Sequence, residues 1–286
     1  MAAPVELDAD SIEARRDRTF RRLPALRVGG RARAMQFLDQ AGLASLFAYR
    51  QVNLPCLWVA VCGRRDPVFP RHSHHDHGVW LAWNLKDELP KAGRVFYAKL
   101  LRGKPTFVAW DLFPAVYRLF HPPGDYRAAY RAGRLSPVAK AILDALHARA
   151  PQETFALKLA TGLARPSQRR AFDAAVTELQ RGLYICMSEV RYDPFTYVYD
   201  LVETRHPAPV RAARRLREDA AALAILRRYL ANVIAATPND AALVVNGRAR
   251  AAHALHRLAA TGAIARDVRI PGWGGRWIVA RPDHPA

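Results

Sequence analysis

Cysteine is scarce in this sequence: Cys56, Cys62 and Cys186 are three in 286 residues, and no two form a CxxC pair. That excludes a disulfide framework and a cysteine-ligated zinc site, and leaves three buried thiols as the expectation. Long hydrophobic runs are missing as well. Leu54 to Cys62 is too short to span a bilayer, and the apolar stretch 220–236 is broken by Arg227 and Arg228. No basic amphipathic helix with aromatic anchors stands out, so no membrane partner is expected. The opening MAAPVELDADSIE is acidic and leads into no apolar segment of the kind that directs export. A cytoplasmic, nucleoid-associated protein is the expectation. GxSxG, GxxxxGK[ST] and a helix-opening GxGxxG are all absent, as is a Cys-His pair at meaningful spacing, and no cofactor is called for.

Acidic residues are also in short supply. There are 25 Asp and Glu against 44 Lys and Arg, a formal charge of +19, and only six of the cations are lysine. The excess is uneven: residues 13–34 carry eight Arg against two acids, and 205–257 carry ten Arg against three. Arginine richness of this kind can reflect base composition of the genome, but its clustering favours a polyanionic partner.

What is present is an internal repeat. FDAAVTELQRGLYI at 172–185 and AHALHRLAATGAI at 252–264 each run a leucine-bearing helix into a glycine and an apolar strand start. Upstream, Val138, Ile142 and Leu146 in one copy, and Leu223, Leu226 and Leu230 in the other, are spaced for one helical face. Downstream, strands at 184–191 and 196–202 flank Tyr192-Asp193-Pro194-Phe195, and strands at 264–270 and 276–280 flank Pro271-Gly272-Trp273-Gly274-Gly275. The order helix, helix, helix, strand, wing, strand is that of a winged helix-turn-helix, which places its third helix in a DNA groove.

The third helices carry polar faces opposite their apolar ones. Asn246, Arg250, His253 and Arg257 form one stripe, and Arg170, Thr177 and Arg181 form the other. These residue types suit phosphate or base-edge contacts, although a solvated helix face has the same composition. Trp273 on its glycine-rich wing invites a stacking role or, alternatively, packing back on its own domain. Trp58, Trp80, Trp83 and Trp110 lie in apolar runs and are expected in the core.

The first half is less regular. Helices are expected at 31–42 and 54–62, then a hairpin within 94–110 whose tip, Arg102-Gly103-Lys104-Pro105, is cationic, then a helix at 113–120. A third, divergent winged helix fits this region. Between them RHSHHDHG at 71–78 places His72, His74, Asp76 and His77 in the HxHxDH pattern of metallo-β-lactamase-like hydrolases. That motif follows a buried strand in its superfamily, whereas RRDPVFPR precedes it here, so metal binding is the minority reading.

RQVNLPCLWVAVCGR at 50–64, AWNLKDELPKAGRVFYAKLLRGKPTFVAWDLFP at 82–114 and the winged repeats behind them resemble the tandem winged-helix DNA glycosylases of the AlkZ and YcaQ type, most closely the bacterial AlkZ-related branch. The resemblance runs from about Phe37 to Ile264. It implies a curved basic channel around duplex DNA and a loop bearing a catalytic Gln-apolar-Gln or Gln-apolar-Asp. Gln51-Val52-Asn53 is the matching tripeptide, with Asn53 in place of the second Gln or Asp. In that role Gln51 faces the sugar and Asn53 orients the water. Asn53, directly before Leu54-Pro55, also reads as a helix N-cap.

The expected architecture is mainly α with small β-hairpins, in tandem winged helix-turn-helix domains. The expected division is 1–70, a helical region with the candidate catalytic loop; 71–134, the histidine loop, hairpin and helix; and winged helices at 135–205 and 206–286. The expected function is excision of alkylated, bulky or crosslinked bases from double-stranded DNA by a monomeric glycosylase. A non-catalytic DNA-binding regulator or damage sensor is the alternative, and a metal hydrolase the second alternative.

Overall fold

Three times along the chain the same order recurs: a helix, a strand of two or three residues, two helices and an antiparallel hairpin. The structure is a computed structural model describing residues 8–71 and 76–281. After an N-terminal helix α1 (Ala9–Thr19), the first unit comprises α2 (Arg31–Ala41), β1 (Leu43–Ser45), α3 (Leu57–Cys62), α4 (His77–Lys91), β2 (Phe96–Lys99) and β3 (Pro105–Val108). Helices α5 (Phe113–Phe120) and α6 (Tyr126–Arg131) lead to the second unit. This is built from α7 (Pro137–Ala148), β4 (Gln152–Glu153), α8 (Thr154–Ala160), α9 (Arg169–Arg181), β5 (Ile185–Tyr192) and β6 (Phe195–Leu201). Two short helices, α10 (Val202–Arg205) and α11 (Pro207–Arg215), connect to the third: α12 (Glu218–Val233), β7 (Ala235–Ala236), α13 (Pro238–Val244), α14 (Arg248–Ala260), β8 (Ile264–Val268) and β9 (Trp277–Ala280).

Each unit closes a three-stranded antiparallel sheet in the same way, with orders β1-β3-β2, β4-β6-β5 and β7-β9-β8. These are three tandem winged helices. The first unit runs from Arg31 to Val108, so the border expected at 70/71 cuts through it: Leu43 on one side pairs with Val108 on the other.

Local chemistry sets the helix ends. Ser136 caps α7 through its hydroxyl, with Pro137 following, and Thr237 and Asp240 form a reciprocal capping box on α13. Glu218 and Asp219 place negative charge in the first turn of α12. Gly63 closes α3 at φ +61°, where a Cβ would meet Arg27 at 2.7 Å, so glycine is required by both conformation and space.

The third helices present their apolar faces inward as expected: Phe172, Val176 and Leu179 on α9, and Ala251, Leu255 and Leu258 on α14, are buried. A continuous apolar core joins the first and third units through α5, with Leu43, Val108, Phe113, Val116, Ile225 and Leu226 among its members. Each such buried side chain contributes roughly 1.5–3 kcal/mol. Polar ties add register: Asn232 donates to the carbonyls of Gln40 and Ala41 at 3.2 and 3.4 Å, pinning α12 to the end of α2.

The tryptophans divide. Trp58 is buried and Trp110 half-buried, but Trp80 and Trp83 on α4 are 57% and 44% exposed, because Val79, Ala82, Leu85 and Leu89 take the inward face. Trp83 covers the ammonium of Lys86 at 4.8 Å. Lys86 is fully buried, donates to the Tyr197 hydroxyl and pairs with Asp87, which accepts from Tyr192; α4 is thereby fastened to the wing of the second unit. Cys56 and Cys186 are buried thiols pushed up to about 12 by burial, and Cys62 is half-buried. No helix among the described residues is long and apolar enough to cross a membrane.

Candidate active site and nucleic-acid interface

The segment between β1 and α3 turns sharply at Tyr49-Arg50-Gln51-Val52, closed by the Val52 amide donating to the Tyr49 carbonyl at 2.9 Å. Val52 is buried and anchors the turn, which leaves Gln51 exposed. Asn53, half-buried, donates from Nδ2 to the Ala235 carbonyl at 3.3 Å, so the tripeptide sits where the first unit meets β7 of the third. Its remaining amide group, the oxygen, is an acceptor. Asn53 does not cap α3: that helix starts at Leu57 with Cys56 at its cap position, because Pro55 and the extended Cys56 delay its onset.

Two tyrosines flank the turn. Tyr49 is half-buried, its phenol is pushed up to about 12 by burial, and its ring carries the Lys104 ammonium at 5.3 Å. The hairpin tip and the candidate catalytic turn are therefore neighbours. Tyr229 is wholly buried, and among the described residues its hydroxyl makes no hydrogen bond of good geometry, with the Asn53 amide its near neighbour. Burial lifts its phenol well above the ordinary range, Asp240 adds to this, and Arg16 and the Asn53 amide oppose it. A neutral hydroxyl thus stands next to the Asn53 side chain throughout the physiological pH range.

Arg16, from α1, completes the junction. Its guanidinium donates to the carbonyls of Val233 and Ala235 at 2.8 and 2.7 Å, so Ala235 accepts from both Arg16 and Asn53.

A family model described as AlkZ related matches residues 30–241, a span that contains this turn. The chain belongs to the AlkZ-related family. Among solved structures it is similar to the DNA glycosylase AlkZ of Streptomyces sahachiroi, at 14% identity and a TM-score of 0.58, covering 96% of this chain and 70% of that one. At that identity the likeness is one of fold. Comparison with curated protein sequences gives no match.

The polar stripes expected on the third helices fare unequally in this AlkZ-related chain. Arg170 and Arg181 are exposed, as is Arg102, which adopts φ +51° at the hairpin tip. Thr177 is not on an open face: α9 packs against the first unit's hairpin, where the Thr177 methyl lies 3.1 Å from the point a Gly103 Cβ would occupy. Gln180 on the same helix accepts from the Lys99 amide at 2.7 Å. In the third unit, Asn246 donates to the Leu119 carbonyl, Arg250 pairs with Glu218 at 2.9 Å, and Arg257 lies 3.5 Å from Asp219. Three members of that stripe are engaged within the molecule by α5 and the acidic start of α12, and His253 is exposed between them.

Trp273 folds back on its own domain, 4.7 Å from the Trp277 ring and under the Arg16 guanidinium at 5.0 Å. Of the HxHxDH residues, His72 and His74 lie outside the described residues. Asp76 caps α4 by accepting from the Val79 amide at 2.8 Å, and His77 is the first helical residue, stacked on Trp80. No strand leads into this segment from Gly63 to Arg71, and among the described residues no three metal-ligating side chains gather.

Proposed function

We propose that this chain is a DNA glycosylase that releases alkylated or bulky bases from duplex DNA, with Gln51 and Asn53 as its catalytic pair. The observation that carries the reading is the turn itself: an exposed Gln51 and a half-buried Asn53 on either side of a buried Val52, beside the Lys104 ammonium, in a family model match that includes them. An N-alkylated purine already bears positive charge, so its glycosidic bond breaks without a general acid. The protein has only to stabilise an oxocarbenium-like sugar and place water. The Gln51 carboxamide oxygen supplies negative partial charge toward the sugar. The Asn53 oxygen, with its nitrogen held by Ala235, accepts a hydrogen bond from the attacking water.

The test is base release from an alkylated duplex oligonucleotide. Gln51→Ala and Asn53→Ala should each lower the single-turnover rate by about a hundredfold, with duplex affinity unchanged. Equal rates in wild type and both variants, or no release from any lesion tried, would leave the non-catalytic DNA-binding alternative in its place.

A further inference from the structure

Both C-terminal units carry a notch between the second helix, the third helix and the wing, lined from corresponding positions. In the second unit these include Arg169, Phe172, Asp173 and Val176 of α9, and in the third Arg248, Ala251, Ala252 and Leu255 of α14. The second notch is large, about 810 Å³, and each of its arginines has an acid beside it: Arg169 lies 3.5 Å from Asp173 one turn along α9, and Arg191 pairs with Glu153, while Lys99 and Lys158 complete its cationic lining. The third is about 240 Å³ and lacks both acids. Ala252 stands where Asp173 does, and Thr237 holds the cap position that Glu153 holds on α8.

Three arginines, Arg248 from α14 and Arg266 and Arg276 from the two wing strands and their approach, therefore converge on one notch. Among the described residues none of the three has an acidic partner; Arg276 donates to the Asp267 carbonyl at 3.1 Å, and Asp267 supplies the one carboxylate in the lining. Asn239 adds a carboxamide and Trp277 an aromatic ring to the lining. Guanidinium groups present forked donors that match phosphate oxygens.

We propose that this notch binds a phosphodiester of the DNA backbone and is the third unit's DNA contact, in place of the Asn246, Arg250 and Arg257 stripe that the molecule uses internally. The inference rests on the reading that duplex DNA is the partner. It assigns positioning, not sequence readout, because phosphate contacts fix register without reading bases.

Affinity of the full-length protein for an unmodified duplex, measured by fluorescence anisotropy across a salt series, tests it. Arg248→Ala, Arg266→Ala and Arg276→Ala should each weaken binding about three- to tenfold and reduce the magnitude of the log affinity against log salt slope by about one. Ala252→Asp, which restores the acid of the second unit without removing any arginine, should weaken binding comparably. Arg169→Ala, in the second notch where Asp173 lies beside the guanidinium, should change affinity less than about twofold. A triple arginine variant with wild-type affinity and slope overturns the notch while base release by the wild type keeps the glycosylase reading standing. A wild type that binds no duplex overturns both.

Discussion

At the scale of single residues, burial decides which polar side chains remain chemically available. His206 sits against Phe96, Trp110 and Phe113, and burial holds its imidazole down at about 4, with the neighbouring Arg205 acting in the same direction. The folded chain takes up this proton only near pH 4, whereas the unfolded chain takes it up near the ordinary 6.5. Its effect on stability is thus flat above about pH 6.5 and unfavourable as pH falls through that window. His121, half-buried against Tyr117 and Tyr184, is shifted the same way. His206→Gln should therefore flatten the loss of stability between pH 6.5 and 4.5 in urea melts. A wild-type slope retained by the variant would show that His206 titrates as a solvated imidazole. Sequence reading singled out Gln51 and Asn53 as candidates, since three adjacent residues carry their own signal. It did not find Tyr229 or Arg16, whose roles depend on a junction closed between residues more than 180 positions apart.

At the scale of elements, the helices and hairpins were legible because their signals are local. The apolar spacing of α7, α9, α12 and α14, the Pro and Gly joints, and the helix end at Gly42 all follow from neighbours within a few residues. The strands β4 and β7 are two residues long, too short for alternation to show, and they exist because each pairs with the last strand of its unit. Likewise the exposure of Trp80 and Trp83 follows from which face of α4 the wing of the second unit and the first core select. The docking of α9 on the first hairpin is a tertiary choice of the same kind. It should be measurable: Gln180→Ala leaves the part-buried Lys99 amide without its 2.7 Å acceptor and is expected to destabilise the fold by about 1–3 kcal/mol in chemical denaturation. Gln180→Glu keeps an acceptor in place and should recover most of that loss.

At the scale of the whole molecule, the three units are held as one body by contacts that converge on the first. Its α4 and hairpin hold the second unit through Lys86, Asp87 and Lys99, and its Tyr49–Asn53 turn holds the third through Asn53. Helix α1 closes the remaining side. Arg65 of the first unit grips Asp17 with two hydrogen bonds of 2.8 and 2.6 Å, while Arg16 and Thr19 bind the carbonyls of Val233, Ala235 and Asn232. The eight arginines that make residues 13–34 look like a polyanion-binding segment thus include at least two, Arg16 and Arg22, that serve the fold, since Glu13 bridges them at 2.7 and 2.6 Å. Net charge alone does not locate the DNA surface. The consequence reaches the chemistry, because Arg16 and Asn53 share the Ala235 carbonyl. Arg16→Ala should cost about 1.5–3 kcal/mol of stability, the range for a hydrogen bond to a charged group. At a temperature where the variant remains folded, it should also slow base release while duplex affinity stays near that of the wild type. Slow release with weakened binding would instead make Arg16 part of the DNA contact, and wild-type release would show that the Asn53 amide keeps its position without a fixed Ala235 carbonyl.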